Sequence, residues 1–290
     1  MTDGPEGVAS ARAGEDPAER GSPEAGAPEG RGRLADTFAG LADGDGAAFV
    51  PFLTHGFPSP ADTPRLLDRL AEAGADVIEL GVPFSDPLAD GPTIQRSSWR
   101  ALERGVTLAG TLELVARRAA DLPPIVLFTY LNPVLRMGVE RFLERAEASG
   151  VAGVLVTDLP VGAHPELERA LASAGPDLIA LVAPTTPPAR VERIVGRASG
   201  FLYYISRLGV TGARDRLDEG LARRVEALRR QMRLPVAVGF GISSPEHARA
   251  VARVADGVVV GSALIAALER GEDEFGALAA ELAAAAHEPG

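Results

Sequence analysis

The segment that decides the fold reads Asp76-Val77-Ile78-Glu79-Leu80-Gly81-Val82. It begins with Asp76 and continues as a short apolar run that is interrupted by one acidic residue, Glu79. It is rich in β-branched and aliphatic residues and is short, which is typical of a strand buried in a parallel sheet. Successive side chains of a strand point to opposite faces. We therefore predict that Ile78, Leu80 and Val82 face a layer of helices. Glu79 then points to the opposite face of the sheet.

Similar apolar runs recur along the chain and alternate with segments of helical spacing. Regular βα alternation predicts a parallel sheet, and eight units suit a single closed (β/α)8 TIM barrel better than the alternative, an open doubly wound sheet. No GxGxxG fingerprint follows the first strand, so dinucleotide binding is not supported. The predicted strands cover residues 48–54, 76–82, 124–130, 153–158, 178–183, 201–206, 235–240 and 257–260.

The N-terminal segment differs in composition from the rest of the chain. Residues 1–30 consist mainly of Gly, Pro, Ala, Glu and Arg, and they contain too little apolar surface to offset the entropy lost on ordering. We predict a disordered tail there. Apolar residues at helical spacing, from Leu34 to Leu41, predict a short helix before the first strand that caps one end of the barrel. The catalytic barrel domain is expected to span residues 31–287.

Composition excludes several classes of function. The chain has no cysteine, which removes disulfides, thiolate nucleophiles and cysteine-bound metals. All 29 basic residues are arginine, so no lysine can form a Schiff base. A net charge of −11 argues against nucleic acid as a partner. The sequence has neither an apolar run long enough to cross a membrane nor a secretory signal, and we expect a cytoplasmic protein without membrane contact.

The acidic residue of the second strand is the first candidate for chemistry. An ionised carboxylate inside a barrel is costly, and burial raises its pKa toward neutrality. Glu79 therefore suits a proton donor and acceptor. The alternative is a structural carboxylate that is hydrogen-bonded within the barrel, because buried carboxylates are not confined to active sites.

The loop after this strand, residues 83–92, is longer than a minimal βα connection and lies where barrel enzymes carry catalytic groups. It contains Asp90, which precedes Gly91 and Pro92. An aspartate at this place is also an ordinary cap for the following helix. From spacing alone, both interpretations of Asp90 remain open.

Glycine-containing turns follow the last two strands. One includes Phe240 and Gly241, and the other includes Gly261 and Ser262, each just before a helical segment. Their backbone N–H groups can converge on a phosphate, as in the recurrent barrel phosphate site, without any lysine. We therefore expect a phosphorylated substrate.

Two other segments carry polar residues near strand ends. The stretch 206–214 has glycines that permit hinge-like motion, and it is interpreted either as a mobile lid or as a plain surface loop. The candidate lid residues in it are Arg207, Gly209 and Thr211. His55 is the only histidine at a predicted strand end, so we expect a packing role for it and no metal site.

Three of these stretches together resemble the tryptophan synthase alpha-chain family. Residues 79–92 read ELGVPFSDPLADGP, 206–212 read SRLGVTG and 239–242 read GFGI. The first run is highly specific to that family, and the resemblance extends over roughly residues 49–268. Three motifs in the same order rarely coincide by chance.

The resemblance implies a retro-aldol cleavage of indole-3-glycerol phosphate to indole and glyceraldehyde 3-phosphate, in tryptophan biosynthesis. In the family, the glutamate that matches Glu79 is the general acid and base, and the aspartate that matches Asp90 holds the indole N–H. Positive charge develops on that nitrogen when C3 is protonated, so a carboxylate there favours the intermediate. Carried over in the same way, the indole pocket contains Phe52, Phe128, Tyr130, Leu155 and Tyr203, and the phosphate site contains Gly212, Phe240, Gly241, Gly261 and Ser262.

The family also implies a partner. Its members pair with a pyridoxal-phosphate beta subunit in an alpha2beta2 heterotetramer, and indole passes to that subunit through a tunnel. No cofactor is expected on this chain. The Asp86-Pro87 region, Asn132-Pro133 and Pro160 match the family's contact segments. One departure is Phe57, which stands where the family often has aspartate, and it puts the details of loop closure in doubt.

Two kinds of alternative are weighed against this function: another phosphate-binding barrel enzyme, and a barrel without turnover. Indole-glycerol-phosphate synthase and triosephosphate isomerase resemble the chain in architecture, but both rely on a lysine that this chain lacks. A barrel that only activates a beta subunit and has lost turnover is the alternative from a different class. The presence of both Glu79 and Asp90 argues against such a scaffold.

Overall fold

The computed structural model describes residues 32–42, 46–205, 219–239 and 241–288, in addition to Met1. The predicted tail therefore lies outside the described residues except for Met1. Within the described ranges the chain forms parallel strands that alternate with helices. The strands are β1 (Ala48–Thr54), β2 (Ile78–Gly81), β3 (Ile125–Thr129), β4 (Gly153–Val156), β5 (Asp177–Leu178), β6 (Ala180–Val182), β7 (Leu202–Ile205), β8 (Val236–Gly239) and β9 (Gly257–Val260).

The strands form one closed wall. Their order is β5-β4-β3-β2-β1-β9-β8-β7-β6, and neighbours pair in parallel. Only Ile179 separates β5, which pairs with β4, from β6, which pairs with β7. These two short strands are halves of one wall position, so the chain itself closes an eight-position barrel. The (β/α)8 prediction is confirmed, and the open sheet is excluded.

Strand alternation divides the apolar residues into two layers, as the sequence predicts. Ile78, Leu80 and Val82 are buried with Leu66 and Leu67 against the helices. The residues that belong to the barrel interior include Ala48, Val50, Val77, Val126, Leu155, Ile179, Tyr203, Ala237 and Val259. The parallel strands are buried on both faces, which is why their sequences read as nearly continuous apolar runs.

Helices cover the outside of the barrel and its amino-terminal end. Leu34 and Phe38 of the first helix are buried in the interior layer, and the ring of Phe38 lies 5.5 Å from that of Phe201. The helix caps the barrel as predicted. The helices are α1 (Arg33–Ala42), α2 (Thr63–Glu72), α3 (Pro92–Glu103), α4 (Leu108–Arg118), α5 (Leu131–Met137), α6 (Val139–Ala148), α7 (Pro165–Ala172), α8 (Pro188–Val195), α9 (Glu219–Gln231), α10 (Pro245–Ala252), α11 (Ser262–Arg270) and α12 (Glu272–His287).

The C-terminal helix fastens the last unit to the first. The N–H of Ala47 donates to the carbonyl of Ala286 at 2.8 Å, and His287 Nε2 lies 2.7 Å from Asp76 Oδ2. Asp76 Oδ2 also accepts the N–H of Phe49 at 2.7 Å. In the part of the chain that the structure describes, no helix is long and apolar enough to cross a membrane.

Candidate functional site

The second strand places Glu79 inside the barrel, as alternation predicts. Its neighbours in the sheet are Phe52 of β1 and Val126 of β3, and Glu79 is 1% exposed. Oε1 of this side chain is buried and has no hydrogen-bond partner among the described residues. A structural carboxylate would have its oxygens satisfied. The unsatisfied oxygen therefore favours a chemical role over a structural one.

Burial sets the protonation state of this carboxyl group. Loss of water and, as a smaller contribution, the negative charge of Asp90 together raise the pKa of Glu79 from its ordinary value of 4.5 to about 8. At neutral pH the side chain is therefore a carboxylic acid, and it can give up a proton to a bound molecule.

Aromatic side chains from neighbouring strands surround Glu79. Phe52 meets Phe128 edge to face, with 5.4 Å between ring centroids. A Cβ on Gly81 would lie 2.4 Å from Phe52 Cζ, so only glycine leaves room for this ring. On the far side, a Cβ on Gly239 would lie 2.3 Å from the hydroxyl oxygen of Tyr203. Both glycines are therefore required by the rings they accommodate.

Tyr203 belongs to the same electrostatic environment. It is buried in the interior layer, and burial raises the pKa of its hydroxyl well above the ordinary value of 10.0, with further contributions from the charges of Glu79 and Asp90. The hydroxyl therefore stays protonated and neutral. Tyr203, Glu79 and Asp90 thus lie close enough to influence one another.

Asp90 is held at the barrel mouth by a tyrosine from the next strand. The hydroxyl of Tyr130 donates to Asp90 Oδ2 at 3.0 Å and accepts the N–H of Ala89 at 3.2 Å. Burial raises the pKa of Asp90 to about 6, and the hydrogen bond from Tyr130 opposes that shift. The following helix has Gly91 as its N-cap residue and Pro92 in its first turn. Asp90 is therefore not the cap of α3, which removes the alternative left open by the sequence.

The glycine turns lie side by side at the carboxyl ends of β8 and β9, which pair in the sheet. Gly241 has a φ of 82°, a conformation that favours glycine, and Gly261 is the N-cap residue of α11, which begins at Ser262. Helix N-termini present unpaired N–H groups that suit an anion. Five predicted residues lie outside the described ranges: Arg207, Gly209, Thr211, Gly212 and Phe240.

Sequence reasoning missed part of the apolar wall. Leu181 and Ile205 pack with the interior layer that contains Leu155 and Tyr203. Together with Thr157, they line a cavity of about 320 Å³ at the divided fifth wall position. Alternation from Ile179 and from Tyr203 would have pointed to Leu181 and Ile205, since each is two residues further along its strand.

His55 has the packing role expected from the sequence. Its Nδ1 lies 2.8 Å from Thr111 Oγ1, and burial, followed by the charge of Arg117, lowers the pKa of the ring to about 4. The ring is therefore neutral near pH 7. Over residues 32–42, 46–205, 219–239 and 241–288, no group of three His, Asp or Glu side chains could hold a metal ion.

Phe57, the departure from the family pattern, is fully buried rather than part of an exposed loop contact. The guanidinium of Arg100 lies 5.1 Å from the centre of its ring, in cation–π geometry. The neighbouring Gly56 donates its N–H to Thr63 Oγ1 at 3.0 Å. The aromatic ring thus packs the first βα loop onto α3.

Apolar side chains are exposed around the same end of the barrel. Leu88 is 92% exposed, Trp99 60% and Leu135 52%. Leu88 and Trp99 line a surface groove together with Phe84 and Pro87. Grouped exposed apolar residues of this kind mark binding surfaces.

Comparison with known proteins agrees with this geometry. The family model described as "Tryptophan synthase alpha chain" matches residues 38–288. The chain is 50% identical over 242 residues to a tryptophan synthase alpha chain of Chloroflexus aurantiacus, covering 82% of this chain and 90% of that protein. It is also 50% identical over 260 residues to that of Chromobacterium violaceum, covering 87% and 98%.

Comparison with solved structures supports the same family. A tryptophan synthase structure from Mycobacterium tuberculosis superposes with a TM-score of 0.82 at 37% identity, and covers 89% of this chain and 99% of that chain. The tryptophan synthase subunit alpha of Legionella pneumophila superposes with a TM-score of 0.80 at 34% identity, covering 88% and 98%. The chain therefore belongs to the tryptophan synthase alpha-chain family.

Proposed function

We propose that the chain cleaves indole-3-glycerol phosphate to indole and glyceraldehyde 3-phosphate by a retro-aldol reaction, the alpha reaction of tryptophan biosynthesis. The observation that carries the proposal is the pair of carboxyl groups. Glu79 has a pKa of about 8 and Asp90 one of about 6 inside one barrel mouth. Near pH 7 one is therefore an acid and the other an anion, and such a pair divides acid and base roles.

Glu79 acts twice in this reaction. As an acid it gives its proton to C3 of the indole, which leaves positive charge on the ring nitrogen. As a carboxylate it then takes the proton from the glycerol hydroxyl next to the bond that breaks. The O–H electrons form the aldehyde, the C–C electrons return to the ring, and Glu79 is again protonated. Proton transfer by a positioned group contributes about 10² to 10⁴ in rate.

Asp90 accepts the ring N–H as a hydrogen bond. Its negative charge interacts more strongly with the cationic intermediate than with neutral substrate, and only such differential binding accelerates the chemical step. Asp90→Asn is therefore expected to lower kcat more than it weakens substrate binding.

We assign the remaining substrate contacts from the resemblance to the family. Phe52, Phe128, Leu155 and Tyr203 enclose the indole ring. Gly241, Gly261 and Ser262 bind the phosphate through backbone N–H groups and the start of α11, joined by Gly212 and Phe240. Arg207, Gly209 and Thr211, which lie outside the described residues, are assigned to a lid over the bound substrate.

The chain needs no cofactor of its own for this reaction, because Glu79 gives one proton to C3, takes another from the glycerol hydroxyl and ends the reaction in its starting state. Pyridoxal phosphate belongs to a beta subunit, which receives the indole through a tunnel in an alpha2beta2 complex. The exposed side chains Leu88 and Leu135 support a docking surface at the barrel mouth. They lie beside the Asp86-Pro87 and Asn132-Pro133 segments.

The proposal is tested by the release of indole from indole-3-glycerol phosphate, with and without a tryptophan synthase beta subunit. We expect wild-type turnover, which Glu79→Gln lowers by about 10² to 10⁴. Glu103→Gln is the matched control, because Glu103 is exposed on α3. If the wild-type chain releases no indole under either condition but still stimulates the beta subunit, it is a scaffold and the proposal is wrong.

A further inference from the structure

Tyr130 is buried at the end of β3, and its ring and hydroxyl both contact the loop that carries Asp90. It is 3% exposed and is the N-cap residue of α5, whose first residue, Leu131, donates its N–H to Asp158 Oδ1 at 2.6 Å. Its ring stacks on Phe84, with 5.0 Å between centroids and 30° between planes. Phe84 belongs to the loop that carries Asp90. Tyr130 therefore holds this loop against the end of β3.

The hydroxyl of Tyr130 contacts two successive residues of that loop. Its hydrogen is donated to Asp90 Oδ2, and its oxygen accepts the N–H of Ala89. The pKa of Tyr130 is raised, mainly by burial and then by the charge of Asp90, so the hydroxyl remains a donor throughout the working pH range. No hydrogen bond within the described residues engages Asp90 Oδ1, which leaves that oxygen available to a ligand.

We propose that Tyr130 is a positioning residue that aims Asp90 at the substrate rather than a wall of the indole pocket. The inference rests on the proposed function. The hydroxyl binds Oδ2 and fixes the rotation of the carboxylate, so that Oδ1 is directed at the ring N–H of indole-3-glycerol phosphate. The single hydroxyl hydrogen of Tyr130 is already used by Asp90 and is not offered to the substrate.

A second consequence concerns charge. The donated hydrogen bond stabilises the anionic form of Asp90 and opposes the effect of burial on its pKa. Without the hydroxyl, the carboxyl group protonates at higher pH and turns freely. Hydrogen bonds to charged groups are stronger than those between neutral groups, so we expect the loss of this one to lower kcat near pH 7 at least about tenfold.

The test is Tyr130→Phe, which removes one oxygen and keeps the ring on Phe84. The first measurement is a carbon NMR titration of protein labelled at the aspartate carboxyl carbons, with the Asp90 signal assigned by its loss in Asp90→Asn. We expect the titration midpoint of the Asp90 signal to lie at higher pH in Tyr130→Phe than in wild type. The second measurement is kcat and KM for indole release, where kcat falls about tenfold and KM changes less than threefold.

Tyr204→Phe is the matched control. Tyr204 of β7 is buried on the helix side of the barrel wall, and its hydroxyl accepts a hydrogen bond from Arg224 Nε at 3.1 Å. This variant loses a comparable hydrogen bond and leaves Asp90 untouched, so neither its Asp90 midpoint nor its kcat is expected to change. Phe84→Leu is a second test, because it loosens the Tyr130 ring and keeps the hydroxyl. It is expected to shift the midpoint in the same direction by a smaller amount.

An unchanged Asp90 midpoint in both Tyr130→Phe and Phe84→Leu would overturn the inference. A rise in KM with unchanged kcat would also overturn it, because that result describes a residue that contacts the substrate and does not position Asp90. If the wild-type chain released no indole, the proposed function would fail. The NMR titration would then still decide whether Tyr130 holds Asp90.

Discussion

Replacing Glu79 by glutamine is expected to stabilise the fold while it removes activity. The pKa of Glu79 is about 8 in the folded chain against an ordinary value of 4.5, so folding favours the protonated form. Between these two values the unfolded chain loses its proton first, and stability falls as pH rises. At ~1.36 kcal/mol per pH unit, the cost is about 3 kcal/mol at pH 7. Glutamine stays neutral and avoids that cost.

Urea unfolding at several pH values measures this effect. We expect wild type and Glu79→Gln to differ by less than about 1 kcal/mol near pH 4.5, by about 3 at pH 7 and by about 4 to 5 at pH 8.5. The exposed Glu103→Gln control is expected to stay within about 0.5 kcal/mol of wild type at every pH. A constant difference between Glu79→Gln and wild type across this range would refute the burial argument.

Three further predictions concern other contacts. Gly239→Ala would place a Cβ 2.3 Å from the Tyr203 hydroxyl oxygen. It is expected to lower kcat/KM for indole release at least about tenfold. The control Gly276→Ala, on a helix where a Cβ meets open space, is expected to leave kcat/KM unchanged. Phe57→Asp replaces a fully buried ring by a shorter, charged side chain among apolar neighbours. Even with Arg100 nearby, it is expected to lower the urea midpoint by more than the neutral Phe57→Leu does, and equal losses would contradict this. His287→Ala removes the ion pair with Asp76, in which the His287 pKa is raised. The free energy of unfolding is expected to fall by about 1 kcal/mol, a small loss because the His287 side chain is 36% exposed. This loss is present below pH 6.5 and disappears as pH rises through the raised pKa of His287. An equal loss at pH 5.5 and pH 9 would contradict the assignment.

Local patterns were sufficient for much of the fold. The inward direction of Glu79 follows from alternation with Ile78 and Leu80, which must face the helices. The capping helix follows from the spacing of Leu34 and Phe38. These are short-range consequences of strand and helix geometry, so the sequence alone predicts them.

The division of the fifth wall position could not be predicted in this way. It depends on which partners β5 and β6 find in β4 and β7, and those pairings are set by closure of the whole barrel. The segment around Ile179 reads as one ordinary apolar run. Nothing local distinguishes a continuous strand from two halves.

Glu79 and Asp90 differ in how far local sequence determines their positions. The position of Asp90 depends on Tyr130, which is 40 residues away in sequence. On spacing alone, Asp90 remained a possible helix cap, and the cap proved to be Gly91. The buried place of Phe57 is likewise a tertiary effect, because it depends on Arg100 of α3.

The most direct test of the central claim is the pH dependence of kcat/KM for indole release. The account requires Asp90 ionised and Glu79 protonated in the free enzyme, so the profile should be bell-shaped, with a rising limb near pH 6 and a falling limb near pH 8. Asp90→Asn should remove the rising limb. A wild-type rate that stays level up to pH 9.5 would contradict the assignment of Glu79 as the acid.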